Sequence, residues 1–193
     1  MNHEQGEPTH PSHLRFRRAE PEDAGTLLGV YRGYVEAPGY CFELECPDLP
    51  TFAARIAAAR ERWDWWLAEA QGAVLGYAYA GPHRERAAYR YSCEVSVYLA
   101  AAGQGQGIGH GLYERLLPAL AERGYFNALA VIVQPNPRSL AFHQRSGFEP
   151  VGVFARAGYK HGRWWDVCWL QKRLREGEPD RAPGGGPVAT PGP

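Results

Sequence analysis

A run of glycines at every second position constrains the fold of this chain more than any other feature. The sequence GQGQGIGHGL, residues 103–112, comes two alanines after YSCEVSVYLA, residues 91–100, which alternates as a strand with one buried face does. Glycine loses more backbone freedom on folding than any other residue. A glycine-rich turn between a strand and a helix therefore indicates that another group approaches the main chain closely at this point.

Three phosphate-binding patterns compete for this turn. A Walker loop needs a lysine before Ser or Thr, but the first lysine in the chain is Lys160. The dinucleotide fingerprint G-x-G-x-x-G fails in every register. The pattern Gln/Arg-x-x-Gly-x-Gly/Ala is satisfied by Gln104, Gly107 and Gly109. Main-chain N–H groups in such a turn, followed by the positive end of a helix, form a cradle for pyrophosphate; the alternative is a flexible connector that binds nothing.

The strand before the turn contains a carboxylate, Glu94, whose position suggests a function. Period two predicts that one face of this strand belongs to the core: Cys93, Val95, Val97 and Leu99. The opposite face points to solvent or into a polar cleft: Ser92, Glu94, Ser96 and Tyr98. A carboxylate on a central strand is unfavourable unless it is paired or used, so Glu94 is either functional or an ordinary solvated glutamate.

The chain is predicted to form one domain between two polar ends. We expect a flexible leader over residues 1–13, a domain over 14–175 and a disordered Pro/Gly-rich tail over 176–193. Hydrophobic periodicity predicts strands near 14–19, 65–70, 73–80, 91–99, 128–133, 149–157 and 164–172. The short apolar run 128–133 is expected to be a buried central strand. Helices are predicted near 21–34, 48–63, 107–123 and 136–146.

The composition argues against several classes of partner. The 21 Lys and Arg residues balance 21 Asp and Glu residues, so no global basic field favours nucleic acid or an anionic membrane. The four cysteines form no C-x-x-C pair and the seven histidines show no metal-ligand spacing. No apolar run approaches the ~20 residues that span a bilayer, and the start does not resemble a signal peptide. We expect a cytoplasmic protein that binds no metal, nucleic acid or membrane.

Five stretches together resemble the GCN5-related N-acetyltransferase (GNAT) superfamily, and more narrowly the phosphinothricin and methionine sulfone/sulfoximine acetyltransferases. They are AYAGP (78–82), AYRYSCEVSVYL (88–99), GQGQGIGHGLYERLL (103–117), PNPRSLAFHQRSGF (135–148) and GVFARAGYKHGRWWDV (152–167). The last two stretches point to the subfamily. The resemblance implies an α/β fold in which about four helices flank a mixed, twisted sheet of about seven strands, splayed into a V between the fourth and fifth.

The resemblance also implies that acetyl-CoA is the co-substrate and lies in that opening. Its pantetheine arm would pair like an extra strand with main-chain groups of the strand before the turn, and its pyrophosphate would lie on the amides of the turn. The residues implied to bind it are Val97, Tyr98, Leu99, Gln104, Gly105, Gln106, Gly107, Ile108, Gly109, His110 and Asn136.

Two catalytic residues follow from the same resemblance. Glu94 occupies the position of the general base that removes a proton from the substrate amine, directly or through water. His143 lies four residues before Gly147-Phe148, where many superfamily members have tyrosine. It is expected to act as a proton donor, a relay or a substrate contact; the alternative is a histidine whose hydrogen bonds are satisfied within the structure.

The acceptor implied by the resemblance is a small amino-acid analogue with a carboxylate and a phosphinyl, sulfonyl or sulfoximine group. Arg84 and Arg86 are predicted to pair with such oxygens, unless they belong to a solvated basic loop. Phe42 is predicted to line the acceptor pocket, unless it belongs to the core. The hairpin at 158–167 resembles the one that lies near the dimer partner in the family, which implies a homodimer. Two alternatives stay open: a different amine (a polyamine, an aminoglycoside or a protein N-terminus), or a non-catalytic acyl-CoA sensor of the same fold.

Overall fold

The computed structural model describes residues 14–183, which include the whole predicted domain. The predicted leader, 1–13, and the end of the predicted tail, 184–193, lie outside the described residues. The start of the tail, 176–183, contains no helix or strand. Within it, Ala182 is buried, and Arg181 donates a hydrogen bond to the carbonyl oxygen of Glu122 over 2.8 Å.

Seven strands of the described chain form one sheet in the order β1-β2-β3-β4-β5-β7-β6. They are β1 (Arg15–Arg18), β2 (Trp65–Ala70), β3 (Ala73–Pro82), β4 (Ser92–Leu99), β5 (Asn127–Gln134), β6 (Glu149–Lys160) and β7 (Arg163–Arg173). The α-helices are α1 (Ala24–Glu36), α2 (Leu49–Arg62), α3 (Ile108–Glu122) and α4 (Pro137–Arg145). Only β4 and β5 pair in parallel; the other neighbours are antiparallel. The predicted mixed α/β fold is confirmed.

Local capping chemistry explains where two of the helices begin. The Asp48 side chain accepts a hydrogen bond from the backbone N–H of Thr51 at the start of α2, over 2.9 Å. The Asn136 side chain accepts from the backbone N–H of Ser139 at the start of α4, over 3.1 Å. In both helices a proline occupies the first turn, where its missing N–H is not needed.

Hydrophobic side chains pack on both faces of the sheet. The core beneath α3 includes Cys93 and Val95 of β4 together with Leu112 of the helix. The core beneath α1 and α2 contains aromatic side chains, and Tyr98 of β4 packs against it. The predicted core face of β4 is therefore confirmed, but the prediction that the opposite face points to solvent or into a polar cleft was wrong for Tyr98, because a second core lies on that side of the sheet.

The sheet opens between β4 and β5. These strands pair only at Ser92–Asn127, Cys93–Ala128 and Glu94–Leu129, and then they diverge. The V-shaped opening expected between the fourth and fifth strands is therefore present. The prediction that 128–133 is a buried strand was wrong for Val131, which is 37% exposed because it lines the opening.

Candidate active site

The divergence of β4 and β5 creates a cleft with a volume of about 1560 Å³. One wall is the second half of β4, from Val95 to Leu99, and the other is β5 from Ala130 to Val133. The glycine turn, one face of α1 and residues along the whole length of α4 complete the lining. The cleft therefore lies where two strands leave main-chain groups without a neighbouring strand, so an extended ligand can pair with them.

The glycines of the turn fall into two groups, and the first faces the cleft. Gly105 and Gly107 have φ of 77° and 75°, in the left-handed region that favours glycine. A Cβ atom at either position would enter open space, and both residues line the cleft. Their bare backbone is thus available to a ligand.

The second group of glycines is closely packed against other parts of the protein. A Cβ atom at Gly103 would collide with the carbonyl of Leu75, and one at Gly109 would approach the Phe142 ring to 3.1 Å. A Cβ atom at Gly111 would lie 2.5 Å from the ring of Phe16. Close packing therefore accounts for glycine at 103 and 111 and favours it at 109, whereas it does not explain Gly105 and Gly107.

The start of α3 provides unpaired donors at the cleft. Gly107 is the N-cap of α3, and within residues 14–183 no side chain caps this helix. The first N–H groups of an α-helix have no partner inside the helix, and the helix dipole places partial positive charge there. Together with the left-handed glycines, this arrangement fits the diphosphate of a coenzyme.

Ten of the eleven residues predicted to bind the coenzyme line the cleft: Val97, Tyr98, Leu99, Gln104, Gly105, Gly107, Ile108, Gly109, His110 and Asn136. The exception is Gln106, which is outside the lining and whose side-chain amide donates to the carbonyl oxygen of Ala102 over 2.5 Å.

Three of these residues also make contacts within the protein. The Tyr34 hydroxyl donates to the carbonyl oxygen of Leu99 over 2.8 Å and lies 3.1 Å from its N–H. The Gln104 side-chain oxygen accepts from Arg138 over 3.2 Å, and Asn136 caps α4 through its side-chain oxygen. Both Tyr34 and Arg138 line the cleft, and neither was among the residues predicted to bind the coenzyme.

Glu94 lies at the inner end of the cleft. It is the last residue of β4 that pairs with β5, immediately before Val95, the first residue of β4 that lines the cleft. Its neighbour on β3 is Gly81, where a Cβ atom would meet open space. The Glu94 side chain is 34% exposed, so the carboxylate is accessible from the side of the sheet that faces α1 and α2.

His83, which was not predicted as a site residue, holds this carboxylate. Its Nδ1 lies 2.9 Å from Oε1 of Glu94. The imidazole is in edge-to-face contact with Tyr89 and Trp169, at centroid distances of 5.6 and 5.7 Å. No local pattern in the sequence identifies it: Gly81 pairs with Glu94 and Pro82 with Cys93, so only the register of β3 against β4 shows that residue 83 lies diagonally across from Glu94.

His143 is buried, and both of its ring nitrogens are occupied. Nδ1 lies 2.8 Å from the carbonyl oxygen of Ser139, which can only accept, so Nδ1 bears the proton. Nε2 accepts from the hydroxyl of Tyr113 over 2.9 Å. Burial lowers the pKa of His143 below its usual value and raises that of Tyr113, so His143 is neutral and Tyr113 protonated near neutral pH. His143 still lines the cleft.

The three residues predicted to bind the acceptor lie outside the cleft lining. The Arg84 guanidinium is 5.9 Å from the centroid of Trp169, the ring that also contacts His83. Arg86 is exposed and precedes the short turn Ala87–Tyr89. Phe42 is exposed, and its ring lies directly over Gly158 of β6. The structure therefore places Arg84 over the same ring that contacts His83, the partner of Glu94, whereas Arg86 and Phe42 have no such link to the His83–Glu94 pair among the contacts of residues 14–183.

Metal clusters and membrane-spanning helices are both absent from the described part of the chain. Within residues 14–183, no group of three or more His, Cys, Asp or Glu side chains is arranged to hold a metal ion. None of the helices in that range combines the length and apolar character that crossing a bilayer requires.

The chain is similar in sequence to a known protein family and to individual members of it. Residues 16–169 match the family model described as "Acetyltransferase (GNAT) domain". The chain is 32% identical over 168 residues to phosphinothricin N-acetyltransferase of Streptomyces viridochromogenes, covering 87% of this chain and 92% of that protein. It is 35% identical over 163 residues to L-methionine sulfoximine/L-methionine sulfone acetyltransferase of Pseudomonas paraeruginosa, covering 81% and 95%.

A solved structure of a similar protein also has the same fold as this chain. The phosphinothricin acetyltransferase of Sinorhizobium meliloti, crystallised in complex with AcCoA (acetyl-CoA), superimposes with a TM-score of 0.81 and 34% sequence identity. The match covers 86% of this chain and 92% of that structure.

Proposed function

This chain belongs to the GNAT acetyltransferase family and is an N-acetyltransferase, and we propose that its acceptor is the amine of a small amino-acid-like compound. Phosphinothricin, methionine sulfoximine and methionine sulfone represent this class, because the similar proteins are named for these substrates. One observation carries the proposed place of acetyl transfer: the strands part immediately after Glu94, and the parted strands lead to the bare glycine turn.

Acetyl-CoA supplies the activated acetyl group, and the cleft residues would hold it. Main-chain donors between Gly105 and His110 would bind its diphosphate, because a left-handed glycine turn and a helix N-terminus both present N–H groups to an anion. The exposed edge of β4 around Val97 would pair with the extended arm. No side chain at Gly105 or Gly107 keeps the anion away from these donors.

Glu94 would act as the general base. An α-amine is largely protonated at neutral pH, and only the neutral amine has a lone pair with which to attack a thioester. Oε1 of Glu94 is held by His83, so Oε2 is the oxygen that would receive the proton. The amine would approach from the sheet face on which Glu94 and Ser96 lie.

The hydrogen bonds of His143 restrict the way in which it could donate a proton. A proton can leave only from Nδ1, because Nε2 accepts from Tyr113. That donation requires the contact from Nδ1 to the Ser139 carbonyl to break. In the folded protein at rest, His143 joins α3 to α4 and shapes the wall of the cleft.

Arg84 is the proposed partner of the acceptor's acidic groups. Its guanidinium is exposed and lies over Trp169, one ring away from the His83–Glu94 pair. A planar guanidinium binds carboxylate, phosphinyl and sulfonyl oxygens through paired hydrogen bonds. Roles for Arg86 and Phe42 in acceptor binding stay proposals, with Phe42 contributing apolar surface from the loop between α1 and α2.

We also propose that the enzyme is a homodimer and works in the cytoplasm. The last strand of the sheet, β6, exposes Val151, Val153 and Phe154, and the β6–β7 hairpin exposes Tyr159 and Trp164. An apolar strand at the edge of a sheet favours association with a second protein surface. Sedimentation analysis tests the dimer independently of catalysis.

A thiol-release assay tests the proposed acceptor class. The purified protein is incubated with acetyl-CoA and one amine at a time: phosphinothricin, methionine sulfoximine, methionine sulfone, spermidine, an aminoglycoside and a peptide with a free N-terminus. We expect release with the first three compounds and none with the desamino analogue of phosphinothricin, which lacks the nucleophile. Release with spermidine or the peptide alone would contradict the acceptor class. Coenzyme binding without release for any amine would favour the non-catalytic sensor.

A further inference from the structure

We propose that His83 is a positioning residue for the reaction: it donates a hydrogen bond from Nδ1 to Oε1 of Glu94 and so aims Oε2 at the substrate amine. The inference rests on the proposed function, because it assigns the partner of the proposed base. It concerns a residue in the loop after β3, outside the cleft lining.

In the described chain, nothing other than His83 orients the Glu94 carboxylate through a hydrogen bond. Within residues 14–183, His83 is the only residue that forms a hydrogen bond or ion pair with the Glu94 side chain. The neighbouring position on β3 is Gly81, which has no side chain to offer. A carboxylate at the edge of an opening would otherwise rotate freely about its side-chain bonds, and it would lose orientation toward a bound amine.

The imidazole of His83 is itself held rigidly. Its side chain is only 11% exposed. The rings of Tyr89 and Trp169 meet it edge to face, at interplanar angles of 82° and 73°. A ring fixed on two sides can fix its hydrogen-bond partner, which is the usual relation between a catalytic group and the residue behind it.

The hydrogen bond between His83 and Glu94 has a defined direction. An ionised carboxylate can only accept, so Nδ1 of His83 must bear the proton whether the ring is neutral or charged. The donation occupies one carboxylate oxygen and leaves the second for the amine. His83 therefore takes no proton from the substrate at Nδ1, which distinguishes positioning from a relay through that atom.

Three substitutions separate donation from packing. His83→Asn keeps an N–H donor at nearly the position of Nδ1. His83→Asp has the same shape as the asparagine variant, but its carboxylate can only accept hydrogen bonds and carries the same negative charge as Glu94. His83→Phe keeps a ring against Tyr89 and Trp169 but has no donor. We expect kcat to fall about tenfold or more in H83D and H83F, and about threefold or less in H83N. KM for acetyl-CoA stays within about twofold of the wild type in all three.

The comparison of H83N with H83D is decisive because both lose the same ring contacts. Equal kcat values in these two variants would overturn the proposal, and so would a wild-type kcat in H83F. A second comparison uses Glu94→Gln as background: adding H83F to that variant should lower kcat no further, because His83 acts through the carboxylate. A full additional loss would also overturn the proposal.

An NMR measurement tests the hydrogen bond without catalysis. Long-range nitrogen–proton spectra of the protein without ligands should show a protonated Nδ1 on His83, and this signal should shift in Glu94→Ala. An unprotonated Nδ1 would overturn the inference. Inactivity of the wild type toward every amine would instead refute the proposed function while the NMR result still stands, so the two failures are distinguishable.

Discussion

The hydroxyl of Tyr113 donates a hydrogen bond to Nε2 of His143 over 2.9 Å, and both side chains are buried. This contact joins the middle of α3 to the end of α4, at the wall of the cleft. It requires a neutral imidazole, since a protonated ring would turn Nε2 into a second donor facing the hydroxyl. Burial of the ring likewise disfavours the charged form and lowers the pKa of His143 from its ordinary value of 6.5.

The stability of the protein should therefore decrease in weak acid. Because the pKa of His143 is lower in the folded state than in the unfolded chain, the unfolded state binds the proton first as the pH falls. The free energy of unfolding therefore keeps its full value at a pH above 6.5, the ordinary pKa of histidine, and decreases as the pH falls below that value. His143→Gln, which keeps an acceptor for Tyr113, should remove part of this decrease. Urea unfolding from about pH 8 to about pH 5 measures it.

The matched control for that experiment is His161→Gln, on the exposed turn between β6 and β7. Its ring is in solvent, so the variant should keep the acid-dependent decrease of the wild type. An H143Q protein with the same pH dependence as the wild type would show that His143 does not titrate between the two states.

Glu94→Gln should lower kcat by about 10²-fold, the usual contribution of a general base. The amide has nearly the shape of the carboxylate but cannot accept the amine proton. KM for acetyl-CoA should stay within about twofold, because Glu94 lies outside the cleft lining. Glu85→Gln is the control, since it removes an exposed carboxylate from the same loop as His83. Turnover of E94Q at the wild-type rate would remove Glu94 from the mechanism.

Signals that are local in sequence predicted the parts of the fold that local chemistry determines. The alternation along β4, the starts of the helices near residues 48 and 136 and the period of α3 each depend on residues a few positions apart. The opening beside Glu94 was expected only because of the family resemblance, since no pattern within β4 or β5 indicates where the two strands part.

Contacts that are distant in sequence were not predictable in the same way. Five alternating glycines look equivalent in the sequence. In the structure, however, the Leu75 carbonyl leaves no room for a side chain at Gly103, and the Phe16 ring leaves none at Gly111, and both partners are far away along the chain. The partner of Glu94 was missed because a lone histidine after a proline has no pattern of its own. Its role depends on the register of β3 against β4 and on Trp169 from the other half of the sheet.

Lys160→Met should destabilise the protein and loosen the loop between α1 and α2. The buried ammonium group, only 3% exposed, donates to the carbonyl oxygens of Val35 and Cys41 over 2.6 and 2.8 Å. Methionine fills a similar volume but leaves both carbonyls without their donor, which costs about 1–3 kcal/mol per buried group. Urea unfolding measures the loss of stability.

Chymotrypsin measures the effect on the loop itself, because Tyr40, Phe42 and Leu44 are exposed there. Cleavage at these residues should become faster in K160M. Lys172→Met is the control, since its ammonium group donates to the carbonyl oxygen of Ser146, at the end of α4 and away from this loop. Equal acceleration in both variants would indicate global destabilisation instead of a specific clamp on the loop.

Arg84→Gln should raise KM for the acidic acceptor about tenfold, because one hydrogen-bonded charge pair is lost. KM for acetyl-CoA should not change. Arg90→Gln is the control: its side chain donates to the carbonyl oxygen of Ala87 within the same loop, over 2.9 Å. Initial rates with varied phosphinothricin and saturating acetyl-CoA distinguish the two variants. An unchanged acceptor KM in R84Q would leave the acidic groups without their proposed partner.

Two glycines allow backbone strain to be separated from ligand binding. Gly107 in the cleft and Gly72 in the β2–β3 turn have φ of 75° and 78°, and a Cβ atom at either would meet open space. Alanine at each position should therefore cost a similar ~1 kcal/mol of stability, measured by urea unfolding. Only Gly107→Ala places a methyl group where the diphosphate would lie, so calorimetry should show acetyl-CoA binding weakened about tenfold in G107A and unchanged in G72A. Equal affinity in both variants would mean that this turn does not hold the diphosphate.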